Sequence, residues 1–262
     1  MRNLYMNKLL WYIAVLSSLL IALLTLFNLG IYSKVVHIEV MPGIVSQDLI
    51  TAIASVLILV ILVRKKETSY KSQIIILAYM LYLFYAYGVY VIERFYNMFY
   101  FAYMFILTIS FYSIIFSLVS IDKEMIKRLN VSHFIRKVSA IFLIIIPVMF
   151  YALWIGKLIP LTSSGTKVEF FYSVYILDLC FIMPFFIIIA VMSLKNKNLG
   201  TLLTPCGLLF GSVLLLSVGI GELLKPYFQA KFDLGGVCFY LVLGAVFGTL
   251  AIVELLNLES KS

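Results

Sequence analysis

The stretch YSVYILDLCFIMPFF, Tyr172 to Phe186, carries one charged side chain, Asp178, and no other charge lies within eight positions on either side. Uninterrupted apolar sequence of this kind decides the solvent the chain folds in. The 262 residues are 64% hydrophobic and only 12% charged, with a mean hydropathy of +1.11. Soluble domains are about 45–50% apolar and about 25% charged, and a water-soluble fold of this composition would expose aggregating apolar patches. The sequence therefore reads as an all-α polytopic membrane bundle.

Crossing a bilayer core of about 30 Å takes roughly 20 apolar residues. Eight such runs are expected, near 9–31, 47–63, 73–92, 97–121, 138–156, 170–193, 201–221 and 234–254. They read as helices, because the alternation of a membrane barrel is missing. The second run looks short. Little sequence lies outside the runs, so a single helical domain over 1–262 is expected, without a soluble domain. The start MRNLYMNK has the basic character of a signal peptide, but the apolar run after it is long and lacks a small-residue cleavage site, so the first helix is expected to be retained.

Charge sets the orientation. With the N-terminus in the cytoplasm, Arg2, Lys8, Arg64, Lys65, Lys66, Lys71, Lys123, Lys127, Arg128, Arg136, Lys137, Lys195, Lys197 and Lys261 fall inside, 14 of the 20 basic residues. Lys34, Arg94, Lys157, Lys167, Lys225 and Lys231 fall outside. Both termini are then cytoplasmic, in a cell membrane of bacterial type. The net charge of +8 is explained by inner loops facing an anionic leaflet, and nucleic acid is not an expected partner. The loop DKEMIKRLNVSHFIRK, Asp122–Lys137, reads equally as an interfacial amphipathic helix or as a solvated connection.

Several chemistries lack their residues. Cys180, Cys206 and Cys238 form no C-x-x-C pair, which disfavours thiol–disulfide exchange. His37 and His133 are expected on opposite membrane faces, so they share no metal or haem, and no H-E-x-x-H, G-x-S-x-G, Walker or dinucleotide motif occurs. No metal and no cofactor are expected.

What remains is polarity inside the membrane. Asp178 is expected about 12 Å below the outer end of its span, where a charged Asp costs about 2.5–3.5 kcal/mol on insertion scales. Pro184, six residues on, leaves the carbonyl of Cys180 without its helical partner, so a kink is expected there, and another at Pro147. Arg94 is the expected cation for Asp178, with Lys157 next. Asp48, Glu93, Glu169 and Glu222 are expected nearer the outer mouth. In the third run, AYMLYLFYAYGVYV, Tyr79, Tyr82, Tyr87 and Tyr90 fall within an arc of about 140°, with Tyr85 just off it. They read either as the hydrogen-bonding wall of a pocket with Asp178, or as helix packing with scattered hydroxyl bonds. Gly207-x-x-x-Gly211 and Gly244-x-x-x-Gly248 predict close helix approach, between the two helices or in a homodimer.

The segments PGIVSQDLI (42–50), YNMFYFAYMF (96–105), YILDLCFIMP (175–184) and LGTLLTPCGLL (199–209) resemble an uncharacterised family of bacterial multi-pass membrane proteins. The resemblance implies a common structural plan including Gln47, Asp48, Asn97, Asp178 and Pro184, and no activity or ligand. Three functions fit the residues. The first is a non-catalytic membrane module, such as a sensor, immunity factor or accessory subunit with a membrane partner. The second is a permease for a small solute or ion, with an outward-facing polar pocket around Asp178. The third is a lipid-directed enzyme using Asp178, Asp48 or Glu93 as acid or base.

Overall fold

The computed structural model describes residues 2–64, 69–167 and 171–260. Lys65, Lys66, Glu169, Phe170 and Lys261 fall outside them. Among the described residues, eight helical segments are long and apolar enough to cross a membrane, so the chain is an all-α multi-pass membrane protein. In chain order the elements are α1 (Arg2–Phe27), α2 (Met41–Val63), α3 (Tyr70–Ile92), α4 (Tyr100–Val119), the short α5 (Lys123–Arg128), strand β1 (Leu129–Asn130), α6 (His133–Ser164), α7 (Tyr172–Leu177), α8 (Met183–Leu194), α9 (Asn198–Leu224), α10 (Leu234–Asn257) and strand β2 (Glu259–Ser260). A π-helical stretch, Asp178–Ile182, joins α7 to α8, making one span of them.

The helix ends differ from the sequence expectation for local reasons. The second span is not short: α2 starts at Met41, with Pro42 in its first turn. A first-turn proline gives up no helical hydrogen bond, so Pro-Gly begins this helix rather than preceding it. That shift places Asp48 in the second turn of α2 instead of at its mouth. Helix α6 runs for 32 residues through Pro147 and Pro160. It stops at Gly165, whose left-handed φ of 68° lets its N–H return to the Leu161 carbonyl at 3.0 Å. The sixth span departs from α geometry at the place expected: the π-helical stretch ends just before Pro184. The loop before α6 contains α5 and then β1, which pairs antiparallel with β2 near the chain end, Leu129 opposite Ser260.

Burial is inverted relative to a soluble protein. On α2, Asp48, Thr51 and Ser55 are buried while Leu49, Ile53, Val56 and Leu57 are exposed. On α1, Ser18 and Thr25 are buried while Leu16 and Leu20 are exposed. Lipid tails solvate leucine as well as a protein core does, so polar groups take the interior, where they find one another.

The helices group into two compact units, Met1–Ile121 with Leu209–Thr249, and Asp122–Leu208 with Leu250–Ser262. In the first, α1 to α4 pack together, and Trp11 Nε1 donates to Ser117 Oγ at 3.0 Å. The same unit holds the glycine seam between α9 and α10. A methyl group at Gly211 would meet the Phe247 ring at 2.6 Å, one at Gly244 would meet the Leu216 backbone nitrogen at 3.1 Å, and one at Gly248 would meet Ser212 Oγ at 2.8 Å. Ser212 Oγ donates across the seam to the Gly244 carbonyl at 2.9 Å. Three of the four motif glycines thus bring these two helices together. Gly207 belongs to the second unit and makes room instead for Ile189 and Phe186 of α8.

Candidate functional site: a carboxylate inside a shell of hydroxyls

The densest polar site lies in the first unit and is centred on Asp48, which is 1% exposed. Three hydroxyls from three different parts of the chain converge on its carboxyl. Thr25 Oγ1 of α1 lies 2.7 Å from Oδ2. Tyr32 Oη, from the segment between α1 and α2, donates to Oδ2 at 2.8 Å, and Tyr90 Oη of α3 donates to Oδ1 at 2.7 Å. No basic side chain among the described residues pairs with Asp48. Burial, helped by the Asp48 charge, holds the Tyr32 phenol well above the ordinary range for tyrosine, so Tyr32 keeps its proton and serves as a donor.

Aromatic packing fixes these donors. The Tyr90 ring meets Tyr103 edge-on at 5.1 Å, Tyr87 at 5.5 Å and Tyr32 at 6.2 Å between centroids. Asn97 Nδ2 donates to Tyr103 Oη at 3.0 Å, and Tyr103 lies close enough to Tyr32 to interact with it. Asn97 and Tyr103 thus back the inner shell around Asp48.

A second line of hydroxyls follows the α2–α3 interface away from Asp48. Tyr82 Oη donates to the Gln47 carbonyl at 3.0 Å and lies 3.3 Å from Thr51 Oγ1. Tyr79 Oη hydrogen-bonds Ser55 Oγ and lies 3.2 Å from Ser18 Oγ. Tyr87 Oη donates to the Ser18 carbonyl at 3.3 Å. Ser55 is two turns from Asp48 on α2, so this line extends the polar core by about 10 Å along the helix. Tyr79, Tyr82, Tyr87 and Tyr90, which share one face of α3 by spacing, are all buried and turn their hydroxyls towards α1 and α2. Tyr85, off that arc, packs against Phe210 instead.

Proton accounting shows what the shell permits. Thr25 has one hydroxyl proton and three acceptors in reach: the Ile21 carbonyl at 2.9 Å, the Ala22 carbonyl at 3.0 Å and Asp48 Oδ2. If Thr25 donates to Asp48, the carboxyl receives three O–H groups, which suits an ionised carboxylate. If Thr25 turns its proton back to its own helix, as threonine commonly does, a protonated Asp48 donates to Thr25 Oγ1. Tyr90 has a similar alternative in the Ile44 carbonyl at 3.4 Å. Both protonation states of Asp48 are satisfied with the same heavy-atom positions, differing by rotation of hydroxyl hydrogens.

Asp178 sits in the second unit, 6% exposed, at the first residue of the π-helical stretch. Trp154 Nε1 of α6 donates to Asp178 Oδ2 at 2.8 Å. The indole packs edge-on against Tyr175 at 5.3 Å, and Lys157 Nζ lies 4.9 Å over its ring. Tyr151 Oη donates to the Leu179 carbonyl at 3.0 Å, supplying a donor to the wide turn whose helical ladder Pro184 interrupts. Asp178 therefore finds an indole within its own unit. Arg94, its expected cation, is an exposed residue of the other unit, in the turn after α3, with a left-handed φ of 60°. Glu93, half-buried, caps the same turn. Of the expected set, Asp48, Tyr82 and Tyr87 belong to the Asp48 core, and Asp178 bonds Trp154.

Sequence reasoning missed Thr25, Tyr32, Trp154 and Glu254. Thr25 interrupts the apolar run of α1, and Glu254 is the one charged residue of GTLAIVELLN; these were the available signals. Comparison with models of known protein families, with curated proteins and with solved structures returned no match. The likeness of the four short motifs is not accompanied by any match along the chain.

Proposed function

We propose that the protein is a permease for a small ion, with Asp48 as the group that takes up and releases the transported or coupling proton. The observation that supports this most is the shell of three hydroxyls around a buried carboxyl that has no basic partner among the described residues. An ionisable group is expensive inside a bilayer. A strut between helices needs no ionisable group, because Asn or Ser would bridge the same elements at lower cost. A carboxyl whose neighbours serve both protonation states is suited to changing state. The line of hydroxyls along α2 and α3 gives that proton hydrogen-bonded neighbours on either side.

The test is proton flux into vesicles reconstituted with the purified full chain, read by a trapped pH-sensitive dye under a potassium diffusion potential. Flux above protein-free vesicles, lost in Asp48→Asn and retained in Asp178→Asn, is the expected result. Flux equal to protein-free vesicles, or undiminished in Asp48→Asn, contradicts it.

A second reading, a non-catalytic membrane module, is favoured by the α9–α10 seam, which is packed to backbone contact at Gly244 and suits a rigid scaffold. It predicts a stoichiometric partner on purification in mild detergent and no ion flux.

A further inference from the structure

The second unit holds a different buried carboxyl. Glu254 of α10 has no exposed surface, and neither of its oxygens makes a hydrogen bond. Ser139 of α6, also fully buried and with an unbonded hydroxyl, is close enough to interact with it. Ser193 of α8 is a third fully buried side chain whose oxygen lacks a partner. Topology puts all three at one end of the unit. Ser139 is near the start of α6 and Ser193 near the end of α8, and these helices pack on each other as consecutive crossings. Glu254 lies one turn before the end of α10, after which β2 pairs with β1 just ahead of α6. Among the described residues, the charged group that acts on Glu254 is Arg136, a turn before Ser139 on α6 and half-buried; it reaches the carboxyl electrostatically without bonding to it.

A buried carboxyl left without donors is costly, and here the Ser139 hydroxyl, also without a partner, accompanies it. The two Glu254 oxygens and Ser139 Oγ, from two helices, form a set of hard ligands. A single carboxyl does not suit calcium, which prefers six to eight oxygens with several carboxylates, or magnesium, which demands octahedral geometry. We infer that Glu254, with Ser139 beside it, is a site for a small monovalent cation, either a proton or an alkali-metal ion. Arg136 sets how strongly the site holds it: turned towards the carboxyl, the guanidinium competes with the cation; turned away, it leaves the site open. The inference is independent of Asp48, which belongs to the other unit.

The experiment follows thermal unfolding of the full chain in detergent at constant ionic strength. One arm titrates sodium against choline at fixed pH, and the other titrates pH in choline. The native chain is expected to show a midpoint that rises with the logarithm of one of these cations, as ligand-linked stability requires; the arm that responds tells metal ion from proton. Glu254→Gln is expected to lose that response. Ser139→Ala, which retains the carboxyl, is expected to shift the response to about tenfold higher cation concentration, the equivalent of one lost ligand hydrogen bond. It serves as the deciding variant should Glu254→Gln not fold. An identical cation response in the native chain and in these variants, or no response in the native chain in either arm, overturns the inference.

Discussion

Asp48 and Asp178 are the same residue in the same kind of apolar helix, yet the protein treats them differently. Asp48 is held by three hydroxyls from α1, α3 and the segment between α1 and α2, on helices of ordinary α geometry. Asp178 takes an indole N–H from α6 and sits where the helix itself changes geometry. Hydroxyls rotate, and each both donates and accepts; an indole N–H only donates. The first environment serves both a charged and a neutral carboxyl. The indole of the second gives a proton to an acceptor and takes none in return. On the proposed function, the chemistry of the surrounding donors marks the exchangeable proton, and proximity to a helix irregularity, which makes Asp178 conspicuous in the sequence, does not.

The largest effect expected to separate the two sites is truncation. Asp48→Ala leaves three buried hydroxyls without their acceptor and is expected to destabilise the first unit by about 3–5 kcal/mol, against about 1–3 kcal/mol for Asp178→Ala. Denaturant unfolding in mixed micelles measures both, and equal losses would erase the distinction. Next comes the glycine seam, which belongs to neither acid. Gly211→Leu drives a side chain into Phe247 and is expected to cost about 1–3 kcal/mol by overpacking, while leaving the dependence of flux on Asp48 intact in whatever protein folds.

Single donors come after that. Tyr90→Phe removes one O–H from Asp48 and is expected to cost about 1–2 kcal/mol, and Trp154→Phe about 1 kcal/mol at Asp178. Only Tyr90→Phe is expected to lower proton flux; an equal fall in Trp154→Phe would return Asp178 to the centre of the account. The smallest and most discriminating change is at Thr25. Thr25→Ser keeps the hydroxyl and is expected to change flux little, whereas Thr25→Val keeps the shape, loses the rotating proton and is expected to slow flux several-fold with a stability loss of about 1 kcal/mol.

Much of this was legible in the residues. The eight spans follow from length and hydropathy alone. The face shared by Tyr79, Tyr82, Tyr87 and Tyr90 follows from their spacing, since a helix imposes its period whatever packs against it. The break before Pro184 follows from a missing N–H. The Asp48 shell was not legible, because its donors lie 23, 16 and 42 residues away and meet only when three parts of the chain pack. Asp48 itself was placed at the mouth because Pro42-Gly43 reads as a loop until the helix is seen to start with it. Glu254 was passed over because it sat at an expected span end, where a charged residue attracts no notice.

The central claim is that Asp48 exchanges a proton while Asp178 does not. Dye-reported proton flux in vesicles carrying the native chain, Asp48→Asn or Asp178→Asn, matched for protein content, tests it most directly. The account predicts flux at the protein-free level for Asp48→Asn and near the native level for Asp178→Asn. Native flux in Asp48→Asn, or its loss in Asp178→Asn alone, would contradict it.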